Sequence, residues 1–138
     1  MGVLIDSSIL IEAERGVLDL NVRVQSRQNE EFYLSVVTAS ELLHGVHRAV
    51  RSDQRAKRSA FVEGVLERLP VLDIDIATAR AHAGLWAELQ SAGEMIGPHD
   101  LWLAAACLAH GLSMVTANVR EFERVPGLQL ELWRDPAD

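Results

Sequence analysis

The stretch that most constrains this chain is Val3-Leu4-Ile5-Asp6-Ser7-Ser8, an apolar run that begins almost at the first residue and stops on a carboxylate. A run of this kind, bounded by turn-forming residues, suits a strand covered on both faces. The apolar residues that resume at Ile9, Leu10 and Ala13 have helical spacing. The implied order is strand, acidic turn, helix. In open α/β sheets ligands bind beyond the carboxyl ends of the strands, so Asp6 stands where an active-site acid would. Asp and Ser are also favoured helix caps, and taken alone capping is the commoner reason for an Asp at such a place.

The alternation continues to the end of the chain. Phe32 to Val36 reads as a second strand by its aromatic and β-branched content, Val71 to Ile74 as a third and Leu112 to Val115 as a fourth. Leu128 to Leu132 alternates apolar and polar, as an edge strand would. Between them the spacing predicts helices from Ser8 to Arg15, from Thr38 to Val50, from Gln54 to Arg68 and from Ile76 to Gly93, while Leu18 to Gln25, apolar at every second residue, leaves helix and strand in competition and is assigned to a short helix. A last helix opens at Pro98, is apolar on nearly every side from Leu101 to Ala109, and stops at Gly111. Strands alternating with helices imply an α/β fold, a central, mainly parallel, five-stranded twisted sheet flanked by helices. With 138 residues the chain is long enough for one domain, assigned to 1–133, with a short polar tail at 134–138.

Composition removes several function classes. No apolar stretch approaches the roughly eighteen residues that span a bilayer, and Asp6 comes too early for a signal peptide, so a soluble, cytoplasmic protein with no membrane partner is expected. Cys107 is the only cysteine and lies in an Ala-rich segment, which excludes a disulfide framework and reads as a small buried hydrophobe. The five histidines form no zinc pattern. A net charge of -7 argues against a surface that grips nucleic acid all over, so any such role must be local. The one basic concentration is Arg48, Arg51, Arg55, Lys57 and Arg58 against Asp53 alone. A solvated helix face and an RNA contact made by Arg48, Arg51, Arg55 and Arg58 both account for it.

Four polar residues fall where this fold would expose them. Asp6 and Asn118 lie at the carboxyl ends of two strands, Glu41 and Asp100 at helix starts, and in a parallel sheet these are the same side. Each helix-start acid also has a simpler explanation. Thr38 followed by Glu41 is a capping box, and Asp100 in a first turn complements the helix dipole. Three acids converging would nonetheless repel one another unless a cation balanced them. A hard ion such as Mg2+ or Mn2+ does so through carboxylate and amide oxygens, and metal-assisted phosphodiester hydrolysis is the natural reaction class.

These residues also carry a resemblance. VLIDSSILIEAE at 3–14, TASELLHG at 38–45 and IGPHDLWLAAACLAHGLSMVTANVREFERVPGLQLELW at 96–133 resemble, in order, a PIN-domain protein of the VapC toxin type. The resemblance implies a single PIN-like domain in which Asp6, Glu41 and Asp100 bind metal. It places Asn118 where many such proteins have a fourth Asp, and Ser7, Ser8 and Thr116 at hydroxyl positions that orient the acids. Glu121 stands where Asp is more usual. The activity implied is Mg2+- or Mn2+-dependent endoribonuclease action on RNA by the toxin of a toxin–antitoxin pair, in a homodimer inhibited by a VapB-type antitoxin. A catalytically inactive PIN-like module that binds RNA or protein is the main alternative. A phosphoacceptor receiver domain is disfavoured because it needs a lysine at the end of a late strand, and the only lysine is Lys57.

Overall fold

Four residues, Gly2–Ile5, form β1, and Val3, Leu4 and Ile5 are all buried, as a strand packed on both faces requires. The computed structural model describes residues 2–27 and 29–133. After β1 come α1 (Ser7–Glu14), α2 (Leu20–Gln25), β2 (Glu31–Ser35), α3 (Val36–Arg48), α4 (Ser52–Arg68) and β3 (Val71–Leu72). Then follow α5 (Ile76–Ala92), α6 (Pro98–His110), β4 (Ser113–Thr116), α7 (Val119–Phe122) and β5 (Leu130–Leu132). Every strand pairing is parallel, and the order across the sheet is β3-β2-β1-β4-β5. β1 is therefore central, and the order reverses between β1 and β4, the switch point at which open α/β sheets bind their ligands.

Side chains alternate across the sheet into two cores. Val3, Ile5, Phe32, Leu34 and Val115 pack with Ile9, Leu10, Leu42, Val62 and Val65 of α1, α3 and α4. Leu4 and Met114 pack on the other face with Leu85 and Leu89 of α5 and Leu101, Leu103 and Ala104 of α6. The near-continuous apolarity of α6 follows from its place in this second core. Cys107 is buried there, its thiol pushed up to about 12 by burial, and it behaves as the inert hydrophobe the sequence suggests. Gly93 and Gly111 end α5 and α6 in the left-handed region, at φ 70° and 65°, which glycine adopts without a Cβ clash.

The structure corrects three local expectations. The helix carrying Glu41 starts at Val36, not Thr38: Ser35 ends β2 and caps α3 with its own hydroxyl, accepting from the Val37 N–H at 3.0 Å, so strand runs into helix without a loop. The Thr38–Glu41 capping box therefore does not form, and Glu41 sits in the second turn. The third strand stops at Leu72, two residues before Ile74, and the four-residue α7 was not anticipated. The tail at 134–138 lies outside the described residues.

Candidate active site

Asp6 follows β1 in extended backbone and occupies the N-cap position of α1, but its carboxylate caps nothing. Oδ2 instead accepts from the Ser8 hydroxyl at 2.6 Å and from the Thr116 hydroxyl at 2.8 Å. Ser8 Oγ also accepts from the Ala117 N–H, and Thr116 Oγ1 from the Asn118 N–H. Two hydroxyls thus bolt the ends of β1 and β4 together and fix one carboxylate oxygen between them. The other, Oδ1, is buried without a hydrogen-bond partner, although Asp6 is only 4% exposed. An unsatisfied buried acceptor costs about 1 to 3 kcal/mol, more when charged, so simple capping leaves this arrangement unexplained. No hydrogen bond joins Ser7 to an acid among the described residues; Ser7 lines the neighbouring cleft.

Glu41 reaches the same region from α3. Its Oε1 is buried and lacks a hydrogen bond, with His99 Nδ1 3.6 Å away. Burial raises its pKa, the charge of Asp6 adds to the rise, and His99 opposes it. Asp100, in the first turn of α6 behind Pro98, is shifted furthest. Burial, a hydrogen bond shared with Glu121, and the charges of Asp6, Glu121 and Glu41 push its pKa up to about 8. The dipole of α6 would hold it down by about 0.3 to 1 kcal/mol, and the crowding overrides that. Glu121 moves the opposite way, because it accepts from the Asp100 carboxyl and from the Gly97 N–H at 2.7 Å. The pair thus pushes the Asp100 carboxyl up and the Glu121 carboxyl down. Gly97 lies against both carboxyls: a Cβ built on it would stand 3.6 Å from an oxygen of each, an ordinary contact.

Asp6, Glu41 and Asp100 are thus brought within electrostatic reach of one another at the switch point. Asn118 is exposed at the N-cap of α7 and makes no capping bond with its side chain. Glu121, one helical turn later, is the fourth acid of the group. The sequence marked Glu121 only through the family resemblance, as a Glu where Asp is more usual, and did not place it in the site; the four-residue helix that carries it shows no periodicity that could reveal its facing.

A divalent cation fits the donor chemistry. One carboxylate oxygen each on Asp6 and Glu41 is buried without a hydrogen bond, the Asp100 carboxyl is pushed up beside them, and carboxylate oxygens are the donors that a hard divalent cation takes. Among the described residues no group of three or more His, Cys, Asp or Glu side chains stands together closely enough to hold a metal ion as placed.

The basic run divides. Arg51 pairs with Asp53 at 2.7 Å, Arg55 donates twice to the Ala49 carbonyl, and Arg58 contacts Glu14 at 3.3 Å and the Gly45 carbonyl at 3.2 Å. Arg48 is exposed and lines a cleft that reaches Glu41.

The family model for the PIN domain matches residues 3–128. The chain is 35% identical over 133 residues to Ribonuclease VapC1 of Rickettsia felis, covering 94% of this chain and 95% of the relative. It is 38% identical over 100 residues to the tRNA(fMet)-specific endonuclease VapC of Salmonella typhimurium, covering 72% and 74%. Among solved structures, the DNA-bound VapBC of Salmonella typhimurium superposes with a TM-score of 0.87 at 30% identity, over 96% of this chain and 98% of that one. None of these similarities is confined to one motif; the family match alone runs from β1 past α7 and takes in every acid of the cluster. The chain belongs to the PIN-domain family, among its VapC ribonucleases.

Proposed function

We propose that this protein is a metal-dependent endoribonuclease and the toxin of a toxin–antitoxin pair. The observation that carries the reading is the set of four acids at the switch point, with oxygens of Asp6 and Glu41 buried without a hydrogen bond and the Asp100 carboxyl pushed up by its neighbours. Asp6, Glu41 and Asp100 are the residues assigned to hold Mg2+ or Mn2+, with Glu121 beside Asp100 and Asn118 at the rim. Ser8 and Thr116 fix the Asp6 carboxylate so that Oδ1 is presented inward. A bound divalent ion would lower the pKa of a water and shield the phosphodiester. Filling the site would also bring the Asp100 carboxyl back down, since the charge that pushes it up would be balanced.

RNA is the substrate that the VapC relatives' names support, and the Salmonella relative makes tRNA(fMet) the first to try. The VapBC neighbour supports a VapB-type antitoxin as partner. A homodimer and a cytoplasmic location complete the proposal. No helix among the described residues is long and apolar enough to cross a membrane.

Purified protein incubated with tRNA should cleave it with Mg2+ or Mn2+ and stop when a chelator is added. Asp6→Asn should abolish cleavage, whereas Glu12→Gln, on the helix beyond the strand end, should retain it. Cleavage that persists in excess chelator overturns the metal mechanism, and metal-dependent binding without cleavage supports an inactive module instead.

A further inference from the structure

A cleft of about 1050 Å³ opens between α1, α3 and α4, and Glu41 and His99 are among the residues that line it. Through Glu41 it borders the acid cluster. Glu41, His44 and Arg48 all line it, and their spacing of i, i+3 and i+7 puts them on one face of α3. That face starts with a site carboxylate, carries an imidazole one turn on, and ends with a guanidinium about 10 Å along the helix axis. Lys57 and Arg58 enter from α4, and Arg15 from the end of α1.

The charge lining the cleft is opposite in sign to the charge of the chain. Arg15, Arg48, Lys57 and Arg58 face only Glu14 and Glu41, in a protein with 20 acidic residues and 13 Lys and Arg. Glu14 is already matched by Arg58. Among the described residues the side chains of Arg15, Arg48 and Lys57 have no ion-pair or hydrogen-bond partner, and all three are exposed. Exposed apolar groups, Ile11 at 41% and Val50 at 92%, lie among them. Unpaired cations spaced along a cleft that borders the proposed hydrolytic site, with apolar surface between them, complement a polyanion whose charges repeat along its length and whose sugars and bases have apolar faces.

We propose that this cleft is the track for the RNA strand on one side of the scissile phosphate. Arg48, Lys57 and Arg15 contact its phosphates, and His44 occupies the step between Arg48 and Glu41. The track rests on the ribonuclease reading and refines it: Arg51 and Arg55, whose guanidiniums are engaged within the chain, are not part of it.

The test uses a 5′-labelled single-stranded RNA, with binding followed by anisotropy across a salt series in an Asp100→Asn chain, and cleavage followed in the otherwise unaltered chain with Mg2+. Replacing Arg48 and Lys57 together by Ala should weaken binding about tenfold and lower the slope of log affinity against log salt by about 0.7 for each phosphate no longer neutralised. Arg48→Lys should restore most of the slope, because a phosphate needs only the charge. Arg80→Ala, which removes one exposed cation from α5, should shift affinity by no more than about twofold. In the cleaving chain the double variant should raise KM and leave kcat nearly unchanged. Unchanged affinity and slope in the double variant overturn the track, while metal-dependent cleavage by the unaltered chain would leave the ribonuclease reading standing. Failure of the unaltered chain to bind or cleave RNA sinks both. Variants that keep RNA binding but lose a co-expressed antitoxin make the cleft a protein site and also overturn the track.

Discussion

Asp75 and Asp100 each sit at the start of a long helix, and their carboxyls are driven in opposite directions. Asp75 caps α5, accepting from the Thr78 N–H at 2.8 Å, and lies 3.0 Å from His110 Nε2. Hydrogen bonds from Thr78 lower its pKa, and His110 lowers it further. Asp100 has the same favourable helix dipole but is crowded by Asp6, Glu41 and Glu121, and it is pushed up to about 8. A carboxylate at a helix start is thus not informative by position. The Asp75 cluster is closed, with each oxygen answered from within the chain. The Asp100 cluster is left open and electrostatically unfavourable, which is the pattern of a site built around something the chain does not itself supply.

The largest effect that separates the two clusters should appear in activity. Asp100→Asn should reduce metal-dependent RNA cleavage by more than about 100-fold, and Asp75→Asn by no more than about twofold, since residues that merely support metal ligands are worth 10- to 100-fold. Equal losses in single-turnover cleavage would erase the contrast. Thr116→Val comes next. It removes one of two hydroxyls that fix Asp6, and should lower kcat about 10- to 100-fold with the circular dichroism spectrum unchanged.

The pH dependence of melting sharpens the comparison without substrate. Asp100 binds its proton more tightly in the folded state, near 8, than in the unfolded chain, near about 3.9. Its ionisation therefore opposes folding. In chelator the melting temperature should fall as pH rises across that interval, with Glu41 contributing in the same direction, and the fall should be shallower in Asp100→Asn or with added Mg2+. Asp75 has the opposite sign. Its lowered pKa contributes stability that is present above its unfolded value and lost as pH falls through the folded one. Asp75→Asn should thus lower the melting curve across the range above about pH 4 without changing its slope there. A slope that survives Asp100→Asn in full would show that the crowding lies elsewhere. The smallest effect expected is in Glu121→Gln, which should bring the Asp100 pKa down from its raised value in a carbon-detected NMR titration, because one of the charges holding the proton is gone.

Legibility in the sequence followed the range of the interactions. β1, its central place and its delivery of Asp6 could be read because a buried parallel strand is written as an unbroken apolar run. Asp100 could be placed because Pro98 and the apolar face of α6 fix where that helix begins. Glu41 was expected at the start of its helix, with a capping box as one explanation, but Ser35 caps the helix and Glu41 falls in the second turn, since which of two nearby hydroxyls caps a helix depends on where the preceding strand ends. Glu121 was not placed in the site, and α7 is too short to show a period that would have placed it. The basic run could be read only as a block, because the Ala49 and Gly45 carbonyls that engage Arg55 and Arg58 are backbone acceptors invisible to charge counting.

The hydroxyl bolt between Asp6 and Thr116 joins residues 110 positions apart, and β1 pairs directly with β4. A ribosome delivers a chain N-terminus first, and structure forms as the needed partners emerge. Until β4 is out, Asp6 has β2 beside its strand on one side and nothing on the other. Until α6 and α7 have emerged, two of the four acids are missing. A half-made copy therefore cannot carry the catalytic centre proposed here. Arming waits on the emergence of α6, β4 and α7, and a nascent chain that has not reached them presents an inhibitor with no assembled site.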